Sequence, residues 1–249
     1  MLRLFIGLIT AACVVTTGLW LTGRGRHALS PPPGATAPNP DAAGEYAYTE
    51  AGPSHSSRYV WPVMTAHLAD VQTGARVLDL GSGSGALLAS FAGRGWDRVG
   101  VDISASGVAI ARRAYPDITF IEADATGNLA SLVGTSTFDV VLSTETLEHV
   151  GLPRLFARNA FLALKPGGRL ILSVPYHGYL KNLAIAIRGS SDQHYDPLWD
   201  WGHIKFFSVN TMSALLWEAG FERLEYEGAG RFPYLWNSMV FVARKPAPG

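Results

Sequence analysis

The chain has 249 residues, 48% of them apolar, enough to close one full core with a modest appendage. Its 20 basic and 20 acidic side chains cancel, which gives no general electrostatic footprint for DNA or RNA, so no nucleic acid is expected as a partner. The one cysteine, Cys13, excludes an internal disulfide and a cysteine-rich metal site.

Residues 4–21 form an uncharged, largely apolar run between Arg3 and the Arg24/Arg26 pair, at the lower limit of length for crossing a bilayer. With residues 1–27 read as one segment, an amino-terminal hydrophobic helix serving as a membrane anchor is expected. A cleaved secretory signal and a mis-assigned start are the alternatives. A signal would call for a stronger basic start, a shorter apolar core and a small-x-small site; the run ends instead in Leu19-Trp20-Leu21-Thr22. Basic groups are nearly balanced across it, so charge does not fix its orientation. Residues 28–44 are rich in Pro, Ala and Gly and read as a tether that buries no core.

The folded domain is expected over residues 45–249. Apolar strand-like runs near 76–80, 98–102, 119–122, 138–143 and 169–174 alternate with helix-like stretches near 86–93, 107–114, 129–133 and 153–164. That alternation predicts an α/β fold with a doubly wound, mostly parallel sheet. After the long segment 175–207, Ser208 caps a helical pattern that Gly220 ends, and two more strands follow near 222–227 and 238–243.

The first strand ends in Asp79 and runs into Gly81-Ser82-Gly83-Ser84-Gly85 before a helix. Such a turn brings backbone amides and a helix amino terminus against a ligand, and glycine lets the backbone come close. The same glycines, with Ala86 and with Asp102 about twenty residues on, also fit a dinucleotide-binding turn. An NAD(P)-dependent oxidoreductase is therefore a rival, although no Tyr-x-x-x-Lys is evident. A non-catalytic cofactor-binding scaffold on the membrane is another.

Five stretches decide between them: "VLDLGSGSG", "VGVDIS", "IEADA", "FDVVLSTETLEHV" and "LKPGGRLILSVP". In this order and spacing the chain resembles the class I, seven-stranded S-adenosylmethionine-dependent methyltransferases, and among them the ubiquinone-biosynthesis O-methyltransferase-like group. The resemblance implies a seven-stranded sheet with an antiparallel carboxyl-terminal strand. It also implies that Gly81, Ser82, Gly83 and Gly85 receive the methionine part of the cofactor, with Asp79 near its amino group and Thr144 bordering it. Asp102 would accept the ribose hydroxyls, Ile103 would pack on the adenine, and Asp124 with the Ala125 amide would meet the adenine amino group. Each carboxylate has a plainer reading as a cap where a strand turns into a helix.

A sulfonium methyl is already activated, so the acceptor dictates the remaining groups. Glu145, Glu148 and His149 form E-x-x-E-H, and a helical turn after Ser143 would place them together. With the later His203, the pattern is similar to that of some metal-assisted O-methyltransferases, which implies a divalent Mg or Mn ion. A metal-free general base, His149 or His177, and a purely cofactor-bordering role are the alternatives. Segment 175–207 is long and aromatic, and is expected to be a lid over the acceptor. The sequence thus leads to a methyltransferase acting at oxygen on a small-molecule or lipid-linked acceptor. The expected location is an inner or plasma membrane with the domain facing the cytoplasm, or the cytoplasm itself if the start is mis-assigned.

Overall fold

Successive side chains of a strand point to opposite faces, and in the central strands here both faces are apolar. The computed structural model describes residues 46–247. In it β1 (Arg76–Leu80) sends Val77 into one core and Leu78 into the other. In β4 (Phe138–Thr144), Val140 and Leu142 join the first core, while Phe138 and Val141 join the second. Strands of this kind require a sheet covered on both sides.

Five further strands complete it: β2 (Asp97–Asp102), β3 (Thr119–Glu122), β5 (Leu164–Pro175), β6 (Glu222–Ala229) and β7 (Ser238–Arg244). The order is β3-β2-β1-β4-β5-β7-β6, parallel throughout except for β7, which runs antiparallel between β5 and β6. One face is covered by α1 (Ser57–Ala66), α2 (Ala86–Ala89) and α3 (Ala105–Ala114), through Val60, Met64, Leu88 and Val108. The short α4 (Ala130–Val133) and α5 (Pro153–Ala163) precede α6 (Tyr179–Ile187) and α7 (Val209–Glu218). Phe156, Ala160, Met212 and Leu216 of α5 and α7 fill the second core. This is the doubly wound, seven-stranded sheet expected. Because β1 has β2 on one side and β4 on the other, the carboxyl ends of these strands frame a crevice where such sheets bind ligands.

Differences from the sequence reading have local causes. The first predicted helix stops at Ala89 rather than at residue 93, and the chain reverses through Gly93 at φ +82°. Strand β5 begins at Leu164, because Leu164 pairs with Phe138 ahead of an irregularity in the ladder. Two helices were not foreseen: α1, which carries Pro62 in its interior, and α6 inside the long segment after β5. The expected amino-terminal hydrophobic helix lies outside the described residues. Among the described residues no helix is long and apolar enough to cross a membrane.

Leu142 is fully buried at the centre of β4, whereas Leu132 on α4 is half exposed. Leu142→Ala is expected to cost about 2–5 kcal/mol and Leu132→Ala under about 0.5 kcal/mol, read as shifts of the urea midpoint. Equal losses at the two positions would contradict this placement of the core.

Candidate active site

Gly81, Gly83 and Gly85 have φ of +81°, +50° and +82°, values that glycine adopts without steric cost. Space is as tight as the backbone is unusual. A Cβ on Gly81 would lie 2.3 Å from the Thr146 side chain, and one on Gly83 would lie 2.5 Å from the Tyr48 phenolic oxygen.

Asp102 holds this turn in place. One of its carboxylate oxygens accepts from the Gly83 amide at 2.7 Å and the other from the Ser104 amide at 2.8 Å. Asp79 lies beside it, 2% exposed, with an Oδ1 that receives no hydrogen bond. Burial, and then the neighbouring Asp102 charge, push the Asp79 carboxyl up to about 7. The Ser82 hydroxyl is also buried without a partner. A buried carboxylate with an unsatisfied oxygen beside a bare glycine turn fits the amino-acid end of S-adenosylmethionine.

The remaining expected cofactor residues are distributed around this turn. Ile103 stands 60% exposed at the mouth, next to Asp102. Asp124 accepts from the amide and hydroxyl of Thr126 (2.7 and 2.8 Å), and the Ala125 carbonyl accepts from Asn159 at 2.7 Å. Thr144 directs its hydroxyl away, to the Met64 sulfur at 3.4 Å. The side chain lying on Gly81 is that of Thr146.

The sequence suggests that residues 47–62 close over the cofactor but does not single out Tyr48. Its ring covers Gly83 and Gly107, and the segment that carries it is fastened by serines: the Ser104 hydroxyl donates to the Tyr46 carbonyl at 2.7 Å, and the Tyr48 amide donates to Ser106 Oγ at 3.0 Å. Burial, and then the Asp102 charge, hold the Tyr48 phenol well above its usual range, so it stays an O–H donor. The signal was the segment's place ahead of the glycine turn, and it says nothing about which ring does the covering.

The acceptor side begins three residues after Thr144, where Leu147–His149 forms one 3-10 turn. The Glu148 carbonyl accepts from the amides of Ile204 and Lys205, each at 2.9 Å, which stitches the far end of segment 175–207 to this turn. As a result Glu148, His149 and His203 offer ligand-type atoms all within 4.8 Å of one another. Glu148 is 1% exposed, and neither of its carboxylate oxygens has a hydrogen-bond partner. His149 Nδ1 lies 2.7 Å from the Trp201 carbonyl. A carbonyl only accepts, so Nδ1 carries the proton and the Nε2 lone pair is left for a ligand or a proton.

Glu145, expected in this group, is not part of it. Its backbone is left-handed at φ +49°, so the helical spacing that would align it with Glu148 does not apply. Its Oε2 accepts from the Ser238 hydroxyl at 3.0 Å. His177, expected as a base, is buried between Tyr195 and Phe206 with neither ring nitrogen hydrogen-bonded. Burial, and then the charges of Lys181 and His203, lower it to about 4, which makes it a weak base at neutral pH.

A family model described as a methyltransferase domain matches residues 57–226. The ubiquinone biosynthesis O-methyltransferase of Azorhizobium caulinodans is 32% identical over 162 residues, 62% of each chain. The demethylmenaquinone methyltransferase of Paenarthrobacter aurescens is 34% identical over 113 residues, 45% of this chain and 44% of the relative. Both matches span less than two thirds of the relative's own length. Among solved structures, phosphoethanolamine N-methyltransferase 2 of Haemonchus contortus in complex with S-adenosyl-L-methionine aligns with a TM-score of 0.57 at 20% identity. That alignment covers 75% of this chain and 53% of that one and is a likeness of fold. The family match covers the glycine turn and both buried aspartates, which sets the dinucleotide reading aside. The chain belongs to the class I S-adenosylmethionine-dependent methyltransferases.

Proposed function

We propose that the domain transfers the methyl group of S-adenosylmethionine to an oxygen of a small-molecule or lipid-linked acceptor that carries two neighbouring oxygens. The observation that supports this most is the joining of two features: Thr146 packs on the cofactor turn, and Glu148 and His149, two and three residues on, meet His203.

The bound cofactor supplies an electrophilic methyl group, so the protein's task is in-line placement of the acceptor. Asp79 pairs with the cofactor's amino group, and Asp102, already fixed by two amides, presents its carboxylate to the ribose. Glu148, His149 and His203 hold a divalent ion, Mg or Mn, whose chemistry is to lower the pKa of an acceptor hydroxyl. The Trp201 carbonyl keeps His149 in the tautomer that this needs. The same tautomer supports a second reading, in which His149 Nε2 takes the acceptor's proton directly. His177, Tyr195 and Phe206 close the apolar side of the pocket and exclude water. Residues 4–21 tether the domain to the membrane, and the domain faces the cytoplasm, where the cofactor is made.

The Asp79 carboxyl gives a pH signature. Pairing with the cofactor's ammonium favours the carboxylate and lowers its pKa in the complex, so affinity is full above about pH 7 and falls as Asp79 protonates below it. Between pH 8 and pH 6, binding of S-adenosylhomocysteine is expected to weaken roughly tenfold, and Asp79→Asn to flatten that dependence. An unchanged slope in the variant would assign the titration to another group.

Calorimetry of Mn²⁺ into protein saturated with S-adenosylhomocysteine is expected to show one site, lost in Glu148→Gln and His203→Ala but kept in Glu145→Gln. Methyl transfer to a catechol-type acceptor, and not to a simple amine, is expected alongside. Transfer without any metal binding would leave the His149 base reading. No transfer to any oxygen acceptor would refute the proposal. A reporter fused at Gly249 is expected inside the cell, and one found outside would overturn the orientation.

A further inference from the structure

Glu145 lies outside the group of Glu148, His149 and His203, and its own surroundings point to a different use. Its left-handed backbone is fixed by its amide, which donates to the Ser173 carbonyl of β5 at 3.1 Å. From there its carboxylate reaches the start of β7, where Oε2 accepts from the Ser238 hydroxyl at 3.0 Å. The other oxygen, Oε1, is buried and has no partner in the protein.

Lys181 comes to the same place from the first turn of α6. It is 9% exposed, and its Nζ donates to the Asn237 carbonyl at 3.1 Å. Asn237 and Ser238 are consecutive, so a buried ammonium and a buried carboxylate are anchored to neighbouring residues. The two make no direct ion pair, yet each feels the charge of the other. A lysine stem is flexible enough to close a short gap, and buried opposite charges gain most from contact. Here each is held by its own anchor, which keeps them apart.

The pair borders the acceptor space. The Lys181 charge acts on His177 and His203, and the Glu145 charge acts on Glu148. Burial, and then the Arg231 charge, lower the Lys181 ammonium to about 8, while burial raises the Glu145 carboxyl. Both groups are short of the hydrogen bonds that a buried charge requires. A ligand group that completes both must accept from an ammonium and donate to a carboxylate, and a hydroxyl does each. A carboxylate or phosphate would be repelled by Glu145, with Glu148 beyond it, and an ammonium by Lys181.

We propose that Glu145 and Lys181 form a recognition site for a third oxygen of the acceptor, an uncharged hydroxyl set away from the two neighbouring oxygens held by Glu148, His149 and His203. The hydroxyl donates to Glu145 Oε1 and accepts from Lys181 Nζ. Held at two points, the acceptor cannot swing within the pocket, which favours in-line attack on the methyl group. The site rests on the methyltransferase reading and narrows its substrate class to polyhydroxylated acceptors without an acidic group at that position.

The test measures kcat/KM with S-adenosylmethionine and Mg²⁺ for 4-methylcatechol, 3,4-dihydroxybenzyl alcohol and 3,4-dihydroxybenzoate, and for their 2,3-dihydroxy isomers, which change the spacing between the oxygen pair and the third group. One of the two alcohols is expected to exceed its methyl analogue by about tenfold or more, chiefly through KM, and the matching carboxylate to fall below the alcohol. Lys181→Met is expected to erase the alcohol's advantage. Glu145→Gln is expected to move the preference toward the carboxylate, because Lys181 then faces no competing charge. The readout is the ratio between substrates within one protein, since general damage to the fold lowers them all alike. Should Lys181→Met fail to fold, an unchanged preference in Glu145→Gln would overturn the proposal by itself. Transfer to the methylcatechols with no advantage for either alcohol would overturn the role of the pair and leave the methyltransferase reading standing. An advantage that survives Lys181→Met, or a preference of the unaltered protein for a carboxylate, would do the same. No transfer to any of these compounds would refute the oxygen-acceptor reading and this site with it.

Discussion

The cofactor side of the site depends on one carboxylate. Asp102 takes the amides of Gly83 and Ser104 on its two oxygens and so fixes three things at once: the end of β2, the crown of the glycine turn and the first turn of α3. The cost is electrostatic. Asp79 is held beside it in the same buried place with an oxygen that nothing in the protein satisfies. Two nearby carboxylates in low dielectric are unfavourable until a cation joins them. The protein therefore carries its affinity for an ammonium-bearing ligand as an unfavourable term of its own fold.

The acceptor side is organised by a different kind of contact. A single carbonyl, that of Glu148, accepts two amides from the end of the long segment after β5 and brings His203 next to Glu148 and His149. Within the segment, Tyr195 and Phe206 pack on His177, and Trp199 packs on His149 and His203. The turn that carries Glu148 and His149 and the segment 175–207 are thus one structural unit, joined by backbone rather than by side chains.

What the sequence could reveal follows from this division. The bounds of β1 and β3 were readable because apolar runs bounded by turn residues carry their own signal, and the glycine turn was readable because only glycine serves there. The grouping of Glu148 and His149 with His203 was suggested by residue types, yet the stitch that creates it is a main-chain bond across more than fifty residues and leaves no pattern. Glu145 shows the opposite failure. Its spacing invited a helical alignment, and a left-handed backbone, bonded through its amide to Ser173, removed it. Tyr48 and Thr146 were invisible for a simpler reason: their importance lies in what their side chains touch, and both touch glycines far along the chain. Helix α6 escaped notice because segment 175–207 was read as one aromatic lid with no elements of its own.

The short segment from Tyr46 to Tyr48 reaches across both halves of the site, one ring near His149 and the other on Gly83. It rests there on hydrogen bonds from a few serines and has no helix or strand of its own. A covering of this kind makes the exit of spent cofactor a conformational event. A ligand seated beneath Tyr48 leaves only when these three residues move, so the serines that hold them stand guard over the exit.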